Sequence, residues 1–267
     1  MAVCMAALMA AGIWLCIAGL SRARARVTPA AEGSLLSQLR AVRTNRSFIA
    51  LLAAFVIQAL ATSSMLGGAQ YYATYLLDKP SAVTVLFVCL VGPALAVMPF
   101  WAWVAHRFGK VAGYLTASAL YLIGTILLLS GGRDMPMPAV AGAIALCGIA
   151  YGGLQMFPLA MLPDAVAADR ERTGEARAGV FTGMWTAGET LGFALGPGLV
   201  LAVLAVSGFV SSRADEVVSQ PDSAITGVLL AFTLVPATLL LVSLPFIRAY
   251  SVLSRREAVS LRSDTSS

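Results

Sequence analysis

Seven apolar stretches, each long enough to cross a lipid bilayer, restrict this chain to the few architectures a membrane accepts: residues 2–20, 48–77, 82–105, 111–130, 138–162, 180–209 and 224–247. About 20 apolar residues let a helix span the hydrocarbon layer. Inside that layer each backbone polar group needs a partner within the protein, so runs of this length form helices. The expected fold class is all-α, a polytopic membrane protein of seven transmembrane helices. The second and sixth stretches exceed the minimum and have room to tilt, kink or protrude. Composition agrees, with 59% hydrophobic and 12% charged residues, where a soluble domain carries about 25% charged.

The connections fix an expected orientation. Fifteen of the 18 basic residues fall in alternate connections and the carboxy-terminal tail, and three fall on the opposite side. By the positive-inside rule the rich side is cytoplasmic, with the amino terminus outside and the carboxy terminus inside. Basic residues spread over short loops do not make the contiguous face that nucleic acid requires, so the net charge of +5 implies no such partner. The Arg22, Arg24 and Arg26 cluster follows the first apolar run instead of preceding it, the wrong polarity for a secretory signal. Cys4, Cys16, Cys89 and Cys147 all lie within apolar runs and read as buried hydrophobes. A chain that starts almost directly at a span on the outer face is expected to belong to something longer. Its longest connection, 21–47, holds the amphipathic pattern Leu35, Leu36, Leu39 and Val42, suited to a helix on the membrane surface or a link to a following bundle.

Residues 155–197 carry a more specific signature: Q-M-F-P-L-A-M-L-P-D, then D-R-E-R-T-G-E-A-R-A-G, then W-T-A-G-E-T-L-G-F-A-L-G-P. This resembles the glycoside–pentoside–hexuronide:cation symporter branch of the major facilitator superfamily. Pro163, Asp164, Asp169, Thr173, Gly174, Arg177 and Gly179 are similar to that family's loop between its tenth and eleventh helices. The H-R-F-G-K turn at 106–110 resembles the turn between the eighth and ninth, and Tyr71, Tyr72 and Tyr75 the aromatic end of the seventh. The resemblance implies that residues 1–20 are the counterpart of the sixth helix and 21–47 a cytoplasmic linker. It makes 48–247 a six-helix carboxy-terminal bundle and 248–267 a cytoplasmic tail. It further implies movement of a sugar or related solute coupled to Na⁺ or H⁺, with the cation site in an amino-terminal bundle that this chain lacks. Thr190 departs from the family, which often has Lys after the Glu of its eleventh helix.

Glu189 is the one charged residue deep within a span. An ionisable group there costs about 2.5–3.5 kcal/mol on insertion scales and normally faces a cavity or a partner. It reads as a proton- or solute-linked group, or as a carboxyl protonated or bonded to a neighbouring Thr or Gln. Trp185 shares its face at i,i+4, suited to a sugar or to packing. Gln58 with Thr62, Tyr71 with Tyr75, and Tyr151 with Gln155 repeat that spacing, as pathway lining or as polar ties between helices. Gly183, Gly188, Gly192 and Gly196, with Pro197, mark close packing or a hinge in the sixth span. In the connection 163–179, Asp164, Asp169 and Arg177 are candidates for a cytoplasmic gate, as is Arg107 beside Gly109. The alternative at these positions is ordinary solvated charge.

The sequence has no phosphate-cradling loop and no metal-ligand spacing, and its one histidine supports no hydrolase triad. No enzymatic activity and no bound cofactor or metal are expected. The leading reading is half of a transporter, whose partners are the bilayer, a small solute and an amino-terminal bundle in cis or trans. A seven-helix receptor shares the topology but leaves the 163–179 signature unexplained, and a non-transporting subunit or gene fragment is a third reading.

Overall fold

The computed structural model describes residues 10–15, 17, 40, 42–175, 177–210 and 219–264, with side chains as far as Glu257. The chain divides into two compact units, Met1–Glu32 and Gly33–Ser267. In the first, residues 10–15 and 17 are helical; the rest of the first expected span, and Leu35, Leu36 and Leu39, lie outside the described residues.

The second unit is a bundle of α1 (Arg46–Tyr75), α2 (Ala82–Ala96), α3 (Met98–Phe108), α4 (Lys110–Gly131), α5 (Met137–Thr173), α6 (Ala178–Val206) and α7 (Asp222–Asp264). Among the described residues five helices are long and apolar enough to span a membrane, and the bent pair α2–α3 makes a sixth. The bend of 47° breaks the expected single span 82–105 at Val97. Pro93 inside α2 lacks the N–H that would bond one turn back, and a second proline opens α3, so both sides of the break are set by ring chemistry.

The helix ends follow local rules. Asn45 caps α1, its side-chain oxygen accepting the Phe48 N–H at 3.0 Å. A proline opens α5, and Gly174, left-handed at φ 74°, closes it by donating to Arg170 O at 2.8 Å. This changes the expected connection at 163–179: α5 runs on to Thr173, so Pro163, Asp164 and Asp169 are helical and only 174–177 join α5 to α6. The seventh helix likewise continues past residue 247 to Asp264.

Central α1 is the most buried span, and α6 the least. The first helix packs against α7 and α6 and lies between α6 and α5, while α5 packs on α4 and α2. Glycines set these distances. A Cβ at Gly192 would meet Ala59 Cβ and Val56 O of α1 at 2.9 Å; one at Gly196 would collide with Ser63 Oγ and Ser64 N. On the other side Gly148 and Gly152 seat α5 on the Leu90 and Ala94 carbonyls of α2. Such backbone approach replaces the hydrophobic drive that helices lack among lipid tails.

Candidate functional site

Two regions gather the polar residues. The first lies at mid-span of α5 and α6, the helices on either side of α1. Glu189 of α6 is half-buried and lies within electrostatic reach of the Tyr151 hydroxyl on α5. Gln155, one turn further along α5, is also half-buried. Among the described residues Glu189 has no ion-pair partner. The neutral Thr and Gln bonds allowed for it in the sequence are not made either. Trp185 is set differently: its ring stacks on Phe55 of α1 at 4.2 Å between centroids, and the side chain is 2% exposed. Its indole Nε1 is nonetheless buried without a hydrogen-bond partner.

Outward from Glu189, α6 carries an open groove of about 1000 Å³ lined by Gly179, Thr182, Gly183, Thr186, Ala187, Thr190, Leu191 and Ala194. A Cβ at Gly183 would meet nothing within 4 Å, so this glycine belongs to the groove and not to the α1 interface of Gly188, Gly192 and Gly196. Pro197 packs against Gly67 of α1, where an added Cβ would meet the Pro197 Cα at 3.1 Å.

Other pathway candidates turn inward or toward the far end. Gln58 is 2% exposed and donates to Ser243 Oγ of α7 at 3.0 Å and Ser118 Oγ of α4 at 3.4 Å, a polar tie among three helices. Thr62 returns its hydroxyl to Gln58 O at 3.0 Å. Tyr71 and Tyr75 both meet Phe209, from the end of α6, edge-on at 5.5 and 5.2 Å. Near them Arg133 reaches Asp222 at 2.9 Å.

The second region is the arginine-rich end of the bundle. Asp169, 1% exposed, is its hub. Oδ1 accepts from Arg172 Nη2 at 3.1 Å and Asn45 Nδ2 at 3.4 Å, while Oδ2 lies 3.8 Å from Arg177 Nη1. The Arg177 guanidinium also holds Glu175 at 2.9 Å. Ser47 Oγ lies 2.8 Å from both Asn45 Oδ1 and Glu257 Oε2, which share its single proton. The carboxy end of α5, the starts of α6 and α1, and the extension of α7 thus meet around one buried carboxylate. Asp164, grouped with Arg177 in the sequence, pairs instead with Lys110 at the start of α4, and both are partly exposed. Arg107 is exposed, 5.8 Å from the Phe108 ring.

Asn45, Ser47 and Glu257 were not singled out in the sequence. An Asn just before a long apolar run is a helix-start signal and made Asn45 legible; Ser47 and Glu257 are 210 residues apart and carry no such mark. Among the described residues no three His, Cys, Asp or Glu converge as a metal site.

A bundle of apolar helices with one carboxylate at mid-span and a buried ionic hub at one end defines a multi-pass membrane protein with its polar groups set apart from lipid. The family of MFS/sugar transport proteins matches residues 1–253, and the chain belongs to that family, within the major facilitator superfamily. Relatives include an uncharacterized symporter, sll1374, of Synechocystis, 27% identical over 218 residues that make up 78% of this chain and 38% of the relative. A second, the uncharacterized symporter YnaJ of Bacillus subtilis, is 29% identical over 79% of this chain and 44% of its own. A third, the sodium-dependent lysophosphatidylcholine symporter 1 of Xenopus tropicalis, is 29% identical over 48% of this chain and 24% of its own. The chain spans less than half the length of these relatives.

Proposed function

We propose that this chain forms the carboxy-terminal half of a cation-coupled symporter of the inner membrane, moving a sugar or glycoside by alternating access. The observation that carries the reading is Glu189: a half-buried mid-span carboxylate within electrostatic reach of Tyr151 on another helix, with no ion-pair partner among the described residues. An unbalanced carboxylate in a span is tolerated where a cavity, a proton or a bound solute compensates it. Tyr151, Gln155 and the Trp185 indole supply hydroxyl, amide and N–H groups suited to a polyhydroxylated solute. The family name supports the sugar, and the relatives' names support symport, sodium-dependent in one of them.

In this reading the arginine-rich end is cytoplasmic, and the threonine- and glycine-lined groove of α6 faces an amino-terminal bundle, in cis or in trans, that holds the cation site. Asp169 and Arg177 keep the gate-side ends of α1, α5 and α6 together as the bundle rocks. The deciding experiment is uptake of a panel of labelled sugars and glycosides into vesicles containing this chain together with that bundle, under imposed Na⁺ or H⁺ gradients. Gradient-dependent accumulation that is reduced by Glu189→Gln is the expected result. Accumulation indifferent to both gradients and to Glu189 overturns the reading.

A further inference from the structure

The outer face of α7 changes character along its length without changing direction. Leu241, Val242, Phe246 and Val252 are exposed large hydrophobics, and they follow one another at spacings that keep them on one side of a helix. With no packing partner in the bundle, such a stripe faces lipid tails. Arg248 and then Arg255 continue the same stripe at helical spacing, and Arg256 adjoins it; all three are exposed. From Arg248 to Arg255 the helix climbs about 10 Å, the depth over which hydrocarbon gives way to headgroups.

The Ser47–Glu257 bond at 2.8 Å brings the start of α1 against this segment, which adds exposed Arg43 and Arg46 to the same end. No carboxylate occupies the first turn of α1. Glu257, an acidic residue on the same segment, is engaged with Ser47. None of the five arginines has an ion-pair partner among the described residues, whereas Arg133, Arg172 and Arg177 all do.

We propose that Arg248, Arg255 and Arg256 of α7, with Arg43 and Arg46 at the start of α1, form a headgroup-level site for the phosphates of anionic lipids. Guanidinium groups pair bidentately with phosphate oxygens, and the lipid-facing stripe beneath receives the acyl chains. The site is independent of solute and coupling ion and requires only that the bundle span a bilayer.

The test is native mass spectrometry of the purified full chain, released from micelles doped with equal phosphatidylglycerol and phosphatidylethanolamine. The expected result is preferential retention of phosphatidylglycerol. Arg→Gln at these positions should lower that preference by about five-fold per arginine, the scale of one juxtamembrane basic residue, and Arg→Lys, which keeps the charge but not the bidentate fork, should retain part of it. Arg133→Gln, at the opposite end, should leave it unchanged, and inorganic phosphate in millimolar excess should not compete. Equal retention of both lipids, or equal losses from the Arg133 and the five-arginine variants, overturns the proposal, and so does competition by free phosphate. Circular dichroism of each variant in lipid-free detergent shows whether the helices are retained. If a Gln variant unfolds, the Lys series, read against Ala at Arg255 alone, decides instead.

Discussion

At Gly196 one missing side chain decides how close two helices stand. Its hydrogen occupies the space against Ser63 and Ser64 of α1, and the Ser63 hydroxyl donates to the Gly192 carbonyl at 3.0 Å. Gly196→Ala or Gly192→Leu should lower stability in detergent by about 1–3 kcal/mol through overpacking. Gly183→Ala, in the open groove, should stay within about 0.5 kcal/mol; parallel melting curves of the three variants check the contrast. Four-residue spacing puts Gly192 and Gly196 on one stripe and Gly183, nine residues from Gly192, on the opposite side of α6, but that Gly183 stands in open space depends on what lies opposite it. Glu189 is the converse case. Its cost in a span is intrinsic to a carboxylate and visible in the sequence, while the Tyr151 hydroxyl within electrostatic reach of it comes from a helix that the sequence does not place nearby. In the assembled transporter Glu189→Gln should reduce gradient-driven accumulation by about five- to 150-fold, the range of an ordinary coupling free energy, with Glu189→Asp retaining part of it; uptake with and without the gradient reads this out.

Between elements, the arginine-rich end separates two kinds of ion pair. Lys110–Asp164 ties α4 to α5 with both side chains partly in solvent, so Asp164→Ala should cost less than about 1 kcal/mol. Asp169 is buried among groups from α1, α5 and α6. Asp169→Asn should cost about 1.5–3 kcal/mol, the range for hydrogen bonds to charged groups, and should leave the start of α6 less anchored. Thermal unfolding of both variants, with proteolysis at 174–177, distinguishes them. The sequence grouped Asp164, Asp169 and Arg177 in one loop. Continuing α5 to Thr173 separates them, because on a helix Asp164 and Asp169 point about 140° apart, one toward α4 and the other inward toward Asn45.

For the molecule as a whole, the length of the relatives and the groove on α6 bear on one expectation. Reconstituted alone, this chain should show no gradient-driven uptake above empty vesicles, because one bundle supplies one wall of a two-walled cavity. Co-reconstitution with an amino-terminal bundle should restore uptake and protect a cysteine placed at Thr186 from a membrane-impermeant thiol reagent. Uptake by the chain alone, or labelling at Thr186 indifferent to the added bundle, would count against the two-bundle reading.

The apolar runs determined the all-helical membrane fold by themselves, because a bilayer admits almost no other solution for such lengths. The motif at 155–197 pointed to the family that matches residues 1–253. The break at Val97 follows Pro93, but a single proline is also tolerated within a continuous span, so the proline alone does not place a break. Only the tertiary structure decided which polar residues tie helices together and which do not. Gln58 and Tyr151 look alike in sequence, each starting an i,i+4 polar pair. One bonds Ser118 and Ser243 inside the bundle, and the other lies within electrostatic reach of Glu189. Helical periodicity assigns a residue to a face, but what that face meets is fixed by how the other helices pack.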